Sequence, residues 1–384
     1  DLEYLKKQRL FSENFLRYLS NFKFRGDIFG LPEGAIFFAN EPIIRVTAPI
    51  IEAQIIESFL LNTINLQAMI ASKASRVAYA ASARGVYDFS LRRTHGSDAG
   101  IKVARSSYIA GFQGTSNVLA GKLYNIPIVG TMAHSFVMSF KHELDSFLAY
   151  SSTFPDKTIL LVDTYDTKKG IQNAITIGLY LKEKGCSLKG IRLDSGDIVS
   201  LSKFARKSLD KAGLKYTKIF ASGNLDEFKI KDLLGKGARV DNFGVGTNMG
   251  TSIDAPSLDV IYKISEVTDE DGKFLPTMKL SKGKVTYPGR KQIFRIQDKR
   301  GRFINDILGL EKEKIHGKPL LIKVVDKGKI IYRLPSLDKI RMSVKKNLAK
   351  FPDRLKDVYP KYEYPVIISP GLKKLRRTLA NQLE

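Results

Sequence analysis

The middle of the chain alternates two kinds of pattern. Short apolar runs, Thr158-Ile-Leu-Leu-Val-Asp163, Lys189-Gly-Ile-Arg-Leu-Asp194, Thr217-Lys-Ile-Phe-Ala-Ser222 and Val240 through Gly244, are each bounded by polar or glycine residues. Continuous apolar runs of this length suit strands buried on both faces. Between them lie stretches of helical spacing, Lys168 to Lys184, Ile198 to Ala212 and Asp226 to Leu234. Such alternation predicts βαβ units and a parallel sheet. The spacing recurs while the residues do not, so the architecture repeats and the sequence does not.

Upstream, Gly114 to Phe140 adds a further strand-like run, Ile126 to Val129, followed by the small-residue turn Gly130-Thr-Met-Ala. That turn delivers His134 to the start of a helical pattern, the kind of junction where α/β enzymes place reactive groups. The chain holds four histidines, the others being His95, His142 and His316.

Each predicted strand ends in polar or glycine residues: Asp163-Thr-Tyr-Asp166, Arg192-Leu-Asp194-Ser-Gly-Asp197, Ser222-Gly-Asn224 and Gly244-Val-Gly-Thr-Asn-Met-Gly250. In a (β/α) barrel the active site lies at the carboxyl ends of the strands, and phosphate commonly binds the loops after the last two. The loops around Ser222, Gly223 and Asn224, and around Gly246 and Thr247, suit that role, because glycine lets backbone amides approach an anion. Asn224-Leu-Asp-Glu227 also reads as a helix cap, with Asn at the cap and Glu three residues later. Arg192 and Asp194 fall on one face of one strand, as an internal ion pair or a clamp for ribose and substrate. Tyr87-Asp-Phe89-Ser-Leu-Arg92-Arg93-Thr-His95-Gly96 joins an aromatic face to guanidinium forks. It suits either a flat heterocycle bearing an anionic group or a surface turn with Phe89 in the core.

Other nucleotide and metal motifs are absent. Gly244-x-Gly246-x-x-x-Gly250 has one residue too many for the dinucleotide fingerprint, and no P-loop occurs. Asp163 to Gly170 lacks the alternating acids of a calcium loop.

Composition narrows the class further. The 384 residues, 43% of them hydrophobic, suffice for a large core in two structural units. No apolar run approaches the ~18 residues of a membrane span, and no export signal is visible. The single cysteine, Cys186, excludes an internal disulfide and a Cys-based zinc site. Together these features predict a cytoplasmic location. The net charge is +24, and Ser281 to Glu384 alone holds 27 Lys and Arg against 10 Asp and Glu. A field of this sign attracts nucleotides, sugar phosphates, nucleic acids or acidic membranes, or it is simply a solvated surface.

Taken in order along the chain, Tyr87-Asp-Phe-Ser-Leu-Arg-Arg93, Gly114-Thr-Ser-Asn-Val-Leu-Ala120, Gly130-Thr-Met-Ala-His-Ser135, Leu161-Val-Asp-Thr-Tyr-Asp166, Ile191-Arg-Leu-Asp-Ser-Gly-Asp197, Ser222-Gly-Asn-Leu-Asp-Glu227 and Phe243-Gly-Val-Gly-Thr-Asn248 resemble the nicotinate phosphoribosyltransferases. Arg25-Gly-Asp-Ile, Pro32-Glu-Gly, Asn40-Glu-Pro42, Tyr287-Pro-Gly-Arg-Lys-Gln292 and Tyr364-Pro-Val extend the resemblance over nearly the whole chain. It implies an α/β protein, an irregular (β/α) barrel of the type II phosphoribosyltransferases with a second α/β domain built from both chain ends. The expected division is 87–280 for the barrel and 1–86 with 281–384 for the flanking domain.

The implied reaction makes nicotinate mononucleotide and pyrophosphate from nicotinate and phosphoribosyl pyrophosphate, coupled to ATP hydrolysis, in NAD salvage. Magnesium, a homodimer with shared active sites, and a phosphohistidine belong to the same expectation. By the resemblance, Phe89 stacks on the pyridine ring and Arg92 contacts phosphate. His134 accepts a phosphoryl group from ATP, with Ser135 beside it in the pocket. Arg192, Asp194, Ser195 and Gly196 meet substrate and ribose. Ser222, Gly223, Asn224, Gly246 and Thr247 cradle phosphate, and Asp163 is a candidate for orienting Mg²⁺. Ser116 stands where the related nicotinamide enzymes carry Asp, and its lack of charge favours an acid substrate.

The alternatives are a nicotinamide-using or other type II phosphoribosyltransferase and, more remotely, a basic nucleic-acid-binding protein. One departure stands out. The Thr-Asp-Leu-Tyr-like segment usual near the start of the family is not found before Asp1-Leu-Glu-Tyr4, and the first residue is not Met. The expectation is a chain lacking its natural N-terminal segment and impaired in activity.

Overall fold

The computed structural model describes residues 1–280 and 286–383. It divides the chain into two compact units: Thr63–Val260 with Ser336–Glu363, and Asp1–Asn62 with Ile261–Pro335 and Tyr364–Glu384. The expected division differs from these bounds in three places. The unit of the parallel sheet starts earlier, at Thr63, ends its main run at Val260, and regains Ser336–Glu363 from the part assigned to the flanking domain. The boundary expected at 280/281 adjoins 281–285, which lie outside the described residues.

The first unit is built on six parallel strands: β1 (Gly85–Asp88), β2 (Gly114–Thr115), β3 (Ile159–Leu161), β4 (Gly190–Leu193), β5 (Lys218–Ala221) and β6 (Asn242–Val245). Their order across the sheet is β2-β1-β6-β5-β4-β3, a curled half-barrel. Its longer helices are α1 (Glu57–Ala80, in this unit from Thr63 on), α2 (Ser97–Ile109), α3 (Val118–Tyr124), α4 (His134–Met138), α5 (Glu143–Thr153), α6 (Thr167–Glu183), α7 (Ile198–Lys211), α8 (Glu227–Gly235) and α9 (Leu337–Lys350), with single turns at Thr247–Gly250 and Asp353–Lys356.

The strands are largely buried, with Leu160, Leu161, Ile191, Leu193, Ile219 and Phe243 at 0% exposure. This explains their continuous apolar pattern. Helix α6 buries Ile171, Ala174, Ile175, Gly178 and Leu181, the i, i+3, i+4 face that its sequence advertises. The run Ile126 to Val129 does not form a full strand. It makes one parallel bridge, Thr115 with Ile128, flanked by Thr115 N to Pro127 O and Val129 N to Thr115 O, both at 3.0 Å. Pro127 has no N–H to extend the ladder.

Two successive strand-to-helix loops share one construction. Asp163 and Asp194 stand at the carboxyl ends of β3 and β4. Three residues on, Asp166 and Asp197 cap α6 and α7, accepting from Lys169 N at 2.7 Å and from Val199 N and Ser200 N at 3.1 and 3.3 Å. Asp side chains satisfy the orphan amides of a helix start. One acid of each pair is therefore spent on the helix and the other faces the end of the barrel. At α8 the cap is Asp226, which accepts from Lys229 N at 2.9 Å. The cap expected at Asn224 is thus corrected. Asn224 sits two residues earlier in a left-handed conformation, φ 48°, which asparagine tolerates.

The second unit carries two four-stranded sheets. One orders Lys329–Ile330, Ile322–Asp326, Asp27–Gly30 and Ile44–Thr47, all antiparallel. In the other, Phe303–Leu310 pairs antiparallel with Lys291–Gln297 and parallel with Val366–Ile368. Its core holds Ile293, Leu308 and Leu372. No helix among the described residues is long and apolar enough to cross a membrane.

Candidate active site

The carboxyl ends of β3, β4 and β5 converge on one hydrogen-bonded cluster. Arg192, on β4, donates three ways: Nε to Ser222 Oγ at 2.9 Å, Nη1 to Thr131 Oγ1 at 2.6 Å and Nη2 to Asp194 Oδ1 at 2.9 Å. Ser222 also donates to Asp194 Oδ1. Asp194 N and Ser195 Oγ donate to Asp163 Oδ2 at 3.0 and 2.6 Å. The planar guanidinium fork fixes three loops at once, which a point charge would not do.

His134 enters from the start of α4. Its Nδ1 lies 3.1 Å from the Thr164 hydroxyl, and its Nε2 lies 4.0 Å from Asp194 Oδ2. The ring is partly exposed, at 39%. Burial pushes the Asp194 carboxyl upward, but the hydrogen bonds from Ser222 and Arg192 and the nearby His134 outweigh this and hold it below the ordinary carboxylate value. A carboxylate that stays ionised therefore faces an imidazole nitrogen across a gap.

The β1 end supplies the aromatic wall. Phe89 N donates to Val245 O at 2.8 Å, and the Phe89 ring lies 5.7 Å from the Arg192 guanidinium carbon. Gly244 makes room for it, since a Cβ there would sit 2.6 Å from ring carbons of Phe89. Ser116 is held beside β1 by its own N–H, which donates to Asp88 O at 2.8 Å.

The two loops proposed to cradle phosphate are tied together. Asn248 Nδ2 donates to Asn224 O at 3.2 Å and to Asp226 Oδ2 at 2.9 Å, and Lys229 Nζ donates to Asn224 O at 2.8 Å. Gly223 has φ 96°, and a Cβ there would lie 2.1 Å from Asp194 O, so the backbone admits glycine alone. Gly246 and Thr247 open the short helix Thr247–Gly250.

Of the residues singled out from sequence, Phe89, His134, Asp163, Arg192, Asp194, Ser195 and Ser222 meet in this network. Arg92 and Ser135 are exposed, and among the described residues no hydrogen bond or ion pair joins them to it. Gly196 lies exposed in the loop after β4, with φ 80°. Thr131, Thr164 and Asn248 were not singled out, and each proves to hold a candidate residue or loop in place. A lone Thr or Asn in a loop carries no periodic signal. Only its place directly after a strand, or in a glycine-rich turn, could have drawn notice.

Asp163 Oδ1 is buried and has no hydrogen-bond partner among the described residues. An orphaned carboxylate oxygen fits a Mg²⁺ carried mainly by substrate phosphates and waters, which needs only one or two protein carboxylates. No group of three His, Cys, Asp or Glu side chains able to hold a metal ion occurs among the described residues.

A parallel half-barrel with its polar groups at the strand carboxyl ends is the fold of the type II phosphoribosyltransferases. The solved structure of human nicotinic acid phosphoribosyltransferase is similar over 99% of this chain and 88% of its own, with TM-score 0.86 and 26% identity. The family model for nicotinate phosphoribosyltransferase (NAPRTase) matches residues 85–293, and its N-terminal and C-terminal domain models match 1–65 and 315–376. Among similar curated proteins, a nicotinate phosphoribosyltransferase of Mycobacterium tuberculosis is 46% identical, covering 96% of this chain and 78% of the relative. That of Bacillus subtilis is 39% identical, covering 96% and 80%. The chain belongs to the nicotinate phosphoribosyltransferase family and is an enzyme of that family.

Proposed function

We propose that this chain joins nicotinate to the ribose of phosphoribosyl pyrophosphate, as a step of NAD salvage, with ATP hydrolysis coupled through His134. The pyridine nitrogen lone pair forms a bond to the anomeric carbon. The bond from that carbon to the pyrophosphate oxygen breaks, and its electron pair leaves with pyrophosphate. Positive charge builds on the sugar and negative charge on the leaving group, so the site needs an ionised acid near one and donors near the other. Asp194, held ionised by Arg192 and Ser222, suits the first need. The amides of the Gly223 and Gly246 loops suit the second. Phe89 offers the face on which a pyridine ring stacks, and Arg92 an exposed cation for phosphate. Bound Mg²⁺ would neutralise pyrophosphate charge, with the free oxygen of Asp163 as its protein contact.

In the coupling step an imidazole nitrogen of His134 forms a bond to the terminal phosphorus of ATP, and ADP departs with the electrons of the broken P–O bond. Water later returns the phosphoryl group as phosphate. The exposed ring, steered by Thr164 and facing Asp194, supports this reading over a buried structural role. The charge-neutral Ser116 supports nicotinate over nicotinamide. A homodimer with shared sites and a cytoplasmic location complete the proposal.

The observation that carries it is the single network in which Arg192 joins Thr131, Asp194 and Ser222, with Asp194 Oδ2 4.0 Å from His134 Nε2. The test is turnover of nicotinate against nicotinamide with phosphoribosyl pyrophosphate, with and without ATP, in the unaltered chain and in His134→Ala. The expected result is preference for nicotinate, ATP stimulation in the unaltered chain, and loss of that stimulation in the variant with some uncoupled transfer retained. Equal ATP stimulation in both would remove His134 from the coupling.

A further inference from the structure

The end of β1 hides a carboxylate that the chemistry above does not use. Asp88 is 1% exposed. Its Oδ1 accepts from Ser90 N at 2.9 Å and Ser90 Oγ at 2.5 Å, and its Oδ2 accepts from Thr115 Oγ1 at 2.7 Å. Its backbone carbonyl accepts from Ser116 N at 2.8 Å. Thr115 Oγ1 in turn accepts from Asn117 N at 3.0 Å, and the Asn117 side chain caps α3 through Ala120 N at 3.1 Å. The carboxyl has two hydroxyls and an amide as partners, and none of these is a cation. Burial raises it above its ordinary value, against the three donors. An acid placed in such surroundings is costly unless its bonds do something a smaller neutral residue would not.

What the bonds join is specific. Ser90 follows Phe89 in the loop after β1, and Thr115 precedes Ser116 in the loop after β2. We propose that Asp88 is the positioning residue of the pyridine pocket, clamping the loop of Phe89 to the loop of Ser116 so that the stacking face and the acid-selecting side chain keep a fixed separation. The inference rests on the nicotinate reading above and adds to it the group that sets the pocket's width. Asp88 touches no substrate in this role and acts only through its two neighbours. The Asp88 bonds join the loop after β1 to Thr115 on β2; β6 lies on the other side of β1 and carries the Gly246 loop, the Ser222 loop follows β5, and the bonds of the carboxyl given above reach neither phosphate loop. Its loss is therefore expected to weaken recognition of the ring far more than that of the phosphoribosyl end.

The test uses Thr115→Val, Thr115→Ser and Asp88→Asn in the full chain, with steady-state kinetics in each substrate and a melting curve for each variant. Valine keeps the shape of threonine and removes one donor to the carboxylate, while serine keeps the donor. The expected result for Thr115→Val and Asp88→Asn is a KM for nicotinate raised at least about tenfold, with the KM for phosphoribosyl pyrophosphate changed less than about twofold. Thr115→Ser is expected to stay near the unaltered chain in both. Equal shifts in both KM values, no shift in either, or loss of folding in both Thr115→Val and Asp88→Asn would overturn the proposal. Failure of the unaltered chain to turn over nicotinate would strike at the nicotinate reading instead, and is seen before any variant is made.

Discussion

Arg192 and Asp194 stand two positions apart at the end of one strand and bond to each other, Nη2 to Oδ1 at 2.9 Å, while the same guanidinium reaches Thr131 and Ser222. Of the two alternatives the sequence leaves, an internal ion pair or a clamp for ribose and substrate, the ion pair forms, and the five-donor fork has bonds to spare after neutralising one acid. Arg192→Lys keeps the charge and gives up the fork. Its expected effect is a fall in kcat/KM of about 10- to 100-fold with the fold retained, measured by steady-state kinetics beside circular dichroism. A lysine variant with unchanged kinetics would show that charge alone suffices.

Gly223 meets two constraints at once, a φ of 96° and a carbonyl 2.1 Å from where a Cβ would stand. Gly223→Ala must shift the loop or push back Asp194. A displacement near 1 Å at a reacting centre costs about 100-fold in rate. The expected result is a loss of that order in kcat/KM for phosphoribosyl pyrophosphate. The adjacent buried strands β4 and β5 would keep the melting temperature within a few degrees. A variant as active as the unaltered chain would show that the loop is looser than its backbone implies.

Beneath the same loop, Glu227 is fully buried between Lys73 Nζ and Arg76 Nε, each at 2.8 Å, and Lys73 also reaches Asp254 at 2.6 Å. Removing one partner of a buried ion pair costs about 3–5 kcal/mol, and because Lys73 keeps Asp254 and Arg76 keeps the Val358 carbonyl the loss here falls at the lower end, about 3 kcal/mol. Glu227→Gln is expected to lower the free energy of unfolding by that amount in denaturant titration. A change under about 1 kcal/mol would mean that the network relaxes without it.

In the second unit, Glu41 is raised to about 8, first by burial and then by Asp306 beside it. Between its ordinary value near 4.5 and about 8, the folded chain keeps a proton that the unfolded chain has released. The stability from this group is therefore complete below the ordinary glutamate range and is lost as pH rises toward 8. Glu41→Gln, which stays neutral, is expected to flatten the decline of melting temperature over this window. An unaltered pH dependence would assign the decline to other groups.

The apolar runs of β3, β4 and β5 and the helices after them were legible in the sequence because each strand buries most of its residues and each helix keeps one apolar stripe. The candidate site was legible where chemistry coincided with a strand end, as at Arg192, Asp194 and Ser222, or with the start of a helix, as at His134. It was not legible where a residue works through distant partners. Thr164 and Thr131 gain meaning only when β3 and β4 lie side by side. The role of Asp226 as the cap, in place of Asn224, depends on where α8 begins in three dimensions. Ser336–Glu363 reads as part of a basic tail because charge dominates its pattern. Its place in the barrel unit rests on a few long-range contacts, such as Arg341 Nη2 to Gly111 O at 3.0 Å, 230 residues away.

That last contact bears on how the chain is made. Arg341 also donates to the carbonyls of Tyr108 and Phe112, so α9 closes the end of α2 and the turn that leads into β2. During synthesis the six strands have all emerged by Val245, yet the groups that satisfy this turn arrive nearly a hundred residues later. The half-barrel must wait unfinished on the ribosome while the intervening segment of the second unit is made. A truncation before Ser336 would therefore release a half-barrel whose turn into β2 lacks the guanidinium that the Tyr108, Gly111 and Phe112 carbonyls accept from.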